Sequence, residues 1–356
     1  MRPCLLDFLA CPDCRSEKLD LHVEKYDAGG REIEEGSITC SGCKRSFAIS
    51  LGIPRMLPAS FTALEAPADE LPVAGTLKTM QGYDFQHQRQ GHYLSERESG
   101  ADHDSDLDLT RQYFRKYLDL DEVQLEALKN RIVLDLGCGT GRFMKMAHEY
   151  GASEVIGLDL SAGGLLFAKS LLKDVNNCLF VQGNITSPPL RQGVVDLIYS
   201  IGVLHHLQFP EEGFKSLKPL LSKQGKLWVW CYGLEGMTLV YRLSHLIWLR
   251  QITKGWALER KLGLCKKMGF LFQLLYLYPL YGLKKLGLSK IIQHFPYNEW
   301  VSLDRNDIVY LFFDRLQPPF THYLTKDQIL QYLADLQHVS VTNTFRNGWV
   351  AKAENA

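Results

Sequence analysis

The sequence predicts an α/β fold: a parallel sheet of strand–helix units closed by an antiparallel hairpin, behind a small metal-stapled unit. Three observations predict it. An apolar run, Ile132 to Leu136, breaks into three alternate glycines, Gly137, Gly139 and Gly141. Two C-x-x-C pairs, Cys11/Cys14 and Cys40/Cys43, stand near the N-terminus. Asn347-Gly348 separates two β-rich runs near the C-terminus, which is a strong hairpin signal.

The cysteine pairs define the first unit, residues 1–57. The C-x-x-C spacing lets both sulfurs of a pair reach one tetrahedral metal. Lys18 to Val23 and Glu32 to Ile38 alternate around Ala28-Gly29-Gly30, which reads as a hairpin inside a zinc ribbon. So small a piece cannot bury enough surface to fold alone, so a structural zinc held by Cys11, Cys14, Cys40 and Cys43 is expected. Four thiolates leave no open position for catalysis. The rest of the nine cysteines are scattered, which fits reduced thiols better than a disulfide framework. No basic start followed by an apolar core opens the chain, so a cytoplasmic protein is expected.

Pro58, Pro67 and Pro72 mark residues 58–80 as a linker, and residues 81–356 as the main domain. Tyr83 and Phe85 precede a polar, His-containing run. Tyr113 to Leu128 reads as a helix. Ile132 to Leu136 has no polar alternation before Asp135, as a strand buried on both faces should. The alternate glycines let a ligand approach the backbone. Arg142 to Tyr150 reads as a helix stopped by Gly151. A second strand, Val155 to Leu158, ends at Asp159, about 20 residues past the glycines, where a ribose would offer its hydroxyls. Cys178 to Gln182, Val194 to Tyr199 and Lys226 to Tyr232 continue the sheet, and Thr325 to Gln328 spells a capping box before the last helix.

The spacing G-x-G-x-G, with Asp135 two residues ahead, resembles motif I of class I S-adenosylmethionine (AdoMet) methyltransferases rather than a nicotinamide-binding loop. The resemblance implies a Rossmann-like parallel sheet with a C-terminal antiparallel hairpin. It implies AdoMet bound by Asp135, Gly137, Gly139, Gly141, Asp159 and Leu160, with Asn184 and Ile185 at the adenine. Many members carry N-terminal helices that cap the cofactor, which makes Tyr83 and Phe85 lid candidates. Ser200 to His206 resembles the motif after the fourth strand of small-molecule methyltransferases, so Ser200 is assigned to the cofactor. His205 and His206 are the candidate bases, His206 favoured by resemblance. The N-terminal unit resembles the zinc-binding small domain found with some tRNA, rRNA and protein methyltransferases. Phe313-Asp314, Pro318-Pro319-Phe320 and His322-Tyr323 resemble a segment of bacterial methyltransferases from lipid, polysaccharide and natural-product pathways, which would wall the acceptor pocket.

The net charge is zero, which argues against a nucleic-acid partner. Yet residues 233–295, an insertion after the fifth strand, carry ten Lys or Arg against two acids and are rich in Leu, Tyr, Trp and Phe. Basic and apolar faces together describe a helical lid, a peripheral membrane contact or an RNA contact, with Lys266-Lys267 and Lys284-Lys285 meeting phosphates in either of the last two cases. The expectation is therefore an AdoMet-dependent methyltransferase acting on an O or N atom of a small-molecule or lipid-like acceptor. Two alternatives stand beside it: an RNA methyltransferase that reads its substrate with the ribbon, and a non-catalytic AdoMet-fold partner protein. The residues do not fix an oligomeric state.

Overall fold

The computed structural model describes residues 1–61, 74–98, 103–235, 247–293, 295, 297, 300–301, 303–344 and 348–356. They form two compact units, Met1–Glu235 with Phe320–Ala356, and Gly236–Pro319.

The first unit opens with the ribbon. Strands β1 (Leu19–Tyr26), β2 (Ile33–Cys40), β3 (Ser46–Ser50) and β4 (Ile53–Pro54) form one antiparallel sheet in that order. Asp27 turns the β1–β2 hairpin by accepting from the Arg31 and Glu32 amides at 2.7 and 2.9 Å. Helices α1 (Ala74–Glu98), α2 (His103–Leu118) and α3 (Glu122–Glu126) follow, so α1 takes in residues 74–80 of the stretch read as linker. The helix expected over Tyr113 to Leu128 is two pieces. The break sits at Asp119, whose φ is +50°, and Asp121 then caps α3.

The main sheet contains β5 (Ile132–Leu136), β6 (Glu154–Asp159), β7 (Cys178–Gln182), β8 (Val195–Ile201), β9 (Leu221–Tyr232), β10 (Gln337–Thr344) and β11 (Gly348–Glu354), with α4 (Arg142–Glu149), α5 (Ala162–Leu171) and α6 (Pro210–Leu217) between them. The strand order is β10-β11-β9-β8-β5-β6-β7. The five strands β5 to β9 run parallel, and β11 joins β9 antiparallel. Asn347 of the expected turn lies outside the described residues; Gly348 opens β11. This is the mixed Rossmann-like sheet that the resemblance implied.

Alternation along the strands separates two cores. Val133, Val155 and Tyr199 pack with Phe114, Phe143 and Leu165 on one face. Leu134, Leu136, Ile156 and Val229 pack on the other, in a core that also takes in Leu5, Leu9, Ile38 and Phe47 of the ribbon. Ribbon and sheet therefore share one interior. Leu9 bridges Leu190, and Arg15 Nη2 donates to the Leu190 carbonyl at 2.7 Å. Arg55 bridges Gln182 in parallel, covering an edge that would otherwise present unpaired backbone groups.

The second unit is helical, with α7 (Ile247–Thr253), α8 (Leu258–Phe272), α9 (Tyr278–Lys285), α10 (Ser289–Ile292) and α11 (Arg305–Leu316). A π-turn, Gln273–Leu277, joins α8 to α9. Phe272 meets Tyr297, Trp300 and Phe312 edge-on, and the Arg315 guanidinium lies 4.8 Å from the Trp300 ring centre. A cavity of about 390 Å³ opens among Phe272, Tyr276, Tyr297 and Trp300. Lys266, Lys267, Lys284 and Lys285 are exposed, as are Leu275 and Leu286. No helix among the described residues is long and apolar enough to cross a membrane.

Candidate active site

The site lies at the C-terminal ends of β5, β6 and β8, where open parallel sheets bind ligands. The glycine loop is laced to β6: the Gly137 amide donates to the Leu158 carbonyl at 2.7 Å. A Cβ on Gly137 would stand 2.4 Å from Val203, and one on Gly141 2.7 Å from Ala168, so these two glycines permit close packing. Gly139 differs. Its φ is +52° and its missing Cβ points toward the His87 ring, 3.4 Å away. It faces the crevice.

Asp159 ends β6 there. Its Oδ2 accepts from the Gly139 amide at 2.8 Å, and its Oδ1 from the Ser161 amide at 2.7 Å. It is 9% exposed, and burial raises its pKa while the nearby His87 opposes the rise. Leu160 contributes its carbonyl to Gln182 Nε2 at 2.9 Å. Asn184 and Ile185 stand close by, since the Gly183 amide donates to the Asp159 carbonyl at 3.0 Å. The Asn184 side chain folds onto Thr186, donating to its hydroxyl at 2.8 Å and accepting from its amide at 3.2 Å. Asp135 is buried beneath the loop and pushed up to about 8, chiefly by burial; the Tyr199 hydroxyl donates to it at 3.1 Å. The Ser200 hydroxyl donates to the Leu136 carbonyl at 2.9 Å and so ties β8 to the end of β5.

Helix α1 covers this crevice. Asp84 Oδ1 accepts from the Ser161 hydroxyl at 2.7 Å and from the Gly163 amide at 2.9 Å, closing the N-terminus of α5 with a charge of the favourable sign. His87 Nδ1 lies 3.1 Å from the Ser161 hydroxyl. Asp84 and His87 were missed in the sequence because helix periodicity does not show which strand end a helix covers. Their only signal was their place beside Tyr83 and Phe85.

The two histidines separate by their partners. The Tyr232 amide donates to His205 Nδ1 at 3.2 Å, and the ring stacks on Tyr232 with centroids 4.0 Å apart. The Nε2 of His205 therefore carries its proton. His206 Nδ1 lies 2.9 Å from the Thr321 hydroxyl and 3.0 Å from the Phe320 carbonyl, and that hydroxyl itself donates to the same carbonyl at 2.7 Å. Both neighbours are then acceptors, so Nδ1 holds the proton and Nε2 keeps a lone pair. Tyr83 stands between the halves of the site, 5.7 Å from His87 and 6.2 Å from His206 by ring centres. Tyr323 stacks on Tyr232 at 5.7 Å, beside the Phe320 and Thr321 contacts to His206.

In the ribbon, the sulfurs of Cys11, Cys14, Cys40 and Cys43 all lie within 4.8 Å of one another. Cys11 to Cys43 is 3.6 Å and Cys14 to Cys40 is 3.5 Å. A tetrahedral thiolate site with about 2.3 Å metal–sulfur bonds needs sulfurs about 3.8 Å apart, so the set fits one ion. Burial works against the Cys40 thiolate, but hydrogen bonds from the Cys43 backbone, the Cys14 thiol, the Gly42 backbone and the Cys43 thiol together outweigh it and bring the thiol to about 6.

Residues 134–229 match the family described as methyltransferase domain, and residues 2–52 match Trm112p-like protein. Among curated relatives, the tRNA U34 carboxymethyltransferase of Mannheimia succiniciproducens is 36% identical over 107 residues, 29% of this chain and 33% of that one. The protein of the same name from Vibrio cholerae is 34% identical over 106 residues, 29% of this chain and 32% of that one. An uncharacterized Synechococcus protein is 31% identical over 123 residues, 33% of this chain and 30% of that one. The chain thus spans about a third of the length of these relatives. Of solved structures, an S-adenosylmethionine-dependent methyltransferase from Mesorhizobium loti is similar over 65% of this chain and 96% of that one, at 20% identity and a TM-score of 0.39.

The names of these relatives overturn one expectation. A small-molecule or lipid-like acceptor, with nucleic acid disfavoured, does not accord with tRNA-directed relatives and a Trm112p-like ribbon. The error has a physical source: zero net charge averages over a chain in which residues 233–295 carry ten cations against two acids while the remainder is net acidic. The chain carries a Trm112p-like ribbon over residues 2–52 and a methyltransferase domain over residues 134–229.

Proposed function

We propose that the protein is an AdoMet-dependent methyltransferase acting on RNA, with tRNA as the substrate class and zinc in the ribbon. The observation that carries the donor half is the buried Asp159 carboxylate, fixed by the Gly139 and Ser161 amides beside the glycine loop. A carboxylate held on two backbone donors keeps lone pairs free for a ribose. Asn184 and Ile185 would take the adenine end. The relatives' names and the Trm112p-like ribbon support the acceptor half.

The bound sulfonium supplies an already activated methyl group, so the chain's task is mainly alignment. Asp159 and the glycine loop would hold the donor, and α1, tied through Asp84 to Ser161 and Gly163, would cover it. His206, with Nε2 unprotonated, takes the proton if the accepting atom still carries one. His205 is a structural support for β9, because its Nδ1 accepts from the backbone. Rings such as Tyr83, beside His87 and His206, offer faces for an unstacked base. The zinc holds the ribbon closed and takes no part in the transfer.

The test is incubation with methyl-labelled AdoMet and a cell extract, then separation into RNA, lipid and small-molecule fractions. Label in tRNA supports the reading. Label confined to lipid or small molecules overturns the acceptor half, and label nowhere overturns the whole.

A further inference from the structure

The ribbon ends against the methyltransferase sheet. After β4, Arg55 and Met56 run parallel to β7, and the Met56 amide donates to the Gln182 carbonyl at 2.9 Å. Gln182 is 6% exposed, and both ends of its amide are engaged. Its Oε1 accepts from Arg55 Nη1 at 3.3 Å, and its Nε2 donates to the Leu160 carbonyl at 2.9 Å. Leu160 sits between Asp159 and Ser161, in the turn that carries the donor-site carboxylate. The Arg55 guanidinium is half-buried; burial lowers its pKa, and the Asp84 carboxylate is the main attraction opposing this. Asp84 in turn caps α5 at Ser161 and Gly163. One ribbon side chain thus reaches the turn through Gln182 and faces the carboxylate by which α1 is held.

Resting on the donor site argued above, we propose that Arg55 is a positioning residue of that site. It transmits the order of the metal-stapled ribbon to the β6–α5 turn by fixing the Gln182 amide that holds Leu160. It does so without touching the donor. Removing the guanidinium strands a buried amide oxygen. The amide then turns to find another donor, the Leu160 carbonyl loses its partner, and the turn bearing Asp159 loosens. A fused ribbon would in this way tune affinity for the donor as well as stability.

The test is calorimetric titration of the full chain with AdoMet. R55A should bind about tenfold more weakly, the scale of one charged hydrogen bond, at unchanged zinc content. Q182A should lose a similar factor, and the R55A/Q182A double variant no more than either alone, because the two act through one link. R55K should recover part of the loss. R45A serves as the control: Arg45 binds Asp13 and the Leu57 carbonyl within the ribbon, so it should lower thermal stability and leave affinity unchanged. Parent affinity in R55A, losses that multiply in the double variant, or an equal loss in R45A would each overturn the role of Arg55. A parent protein that does not bind AdoMet overturns the donor-site reading itself and is told apart by that.

Discussion

Replacing Asp159 by Ala removes the carboxylate proposed to meet a ribose. In the fold it also removes the acceptor of two backbone amides, Gly139 at 2.8 Å and Ser161 at 2.7 Å. Each amide that water fails to reach should cost about 1–3 kcal/mol of stability, so a lower melting temperature is expected. The binding effect is separate. A hydroxyl bonded to a carboxylate contributes about 1.5–3 kcal/mol, which corresponds to a loss of about 10- to 150-fold in AdoMet affinity. Because burial raises the Asp159 pKa, parent affinity should also fall as the pH drops and the carboxylate takes up a proton. Asp159→Asn keeps an acceptor for one amide and removes the charge, so its affinity should be weak and nearly independent of pH. Calorimetry over a pH series checks both variants. Folded Asp159→Ala with parent affinity would refute the assignment.

Cys40→Ser with Cys43→Ser should release the ribbon's metal and lower the melting temperature of the whole first unit, since ribbon and sheet share one core. Zinc analysis and differential scanning calorimetry report both effects. His206→Ala should slow transfer about 10²- to 10⁴-fold if the acceptor loses a proton in the step, with AdoMet affinity unchanged, as read by single-turnover kinetics. Asp135, pushed up to about 8 by burial, favours the fold most when protonated. Its contribution is full below about pH 4 and is lost as pH rises toward 8, so Asp135→Asn should flatten that part of the stability profile in thermal melts. Gly137→Ala should destabilise by about 2 kcal/mol or more in denaturant titrations, because its Cβ would stand 2.4 Å from Val203 at a φ of +81°.

The sheet was legible because its strands are short apolar runs and its turns carry glycine, features that depend on local sequence. The cysteine set was legible from spacing alone. Asp159 was legible because its distance from the glycines is fixed by one βαβ unit. What escaped depends on contacts between distant segments. Arg55 meets Gln182, and Asp84 meets Ser161, across separations that no periodicity records. His205 and His206 look alike in sequence; only the Tyr232 amide and the Phe320–Thr321 segment set them apart. The acceptor was misjudged for a related reason: total charge carries no information about where charge lies. The insertion shows this plainly, with basic residues gathered on a chain of zero net charge.

The most direct measurement is a crystal structure with S-adenosylhomocysteine soaked into the protein. The account predicts a ribose with its hydroxyls on Asp159, the amino-acid portion along Gly137 to Gly139, and the adenine beside Asn184 and Ile185. A nucleoside bound elsewhere, or a crevice that keeps His87 against Gly139 at saturating ligand, would contradict it.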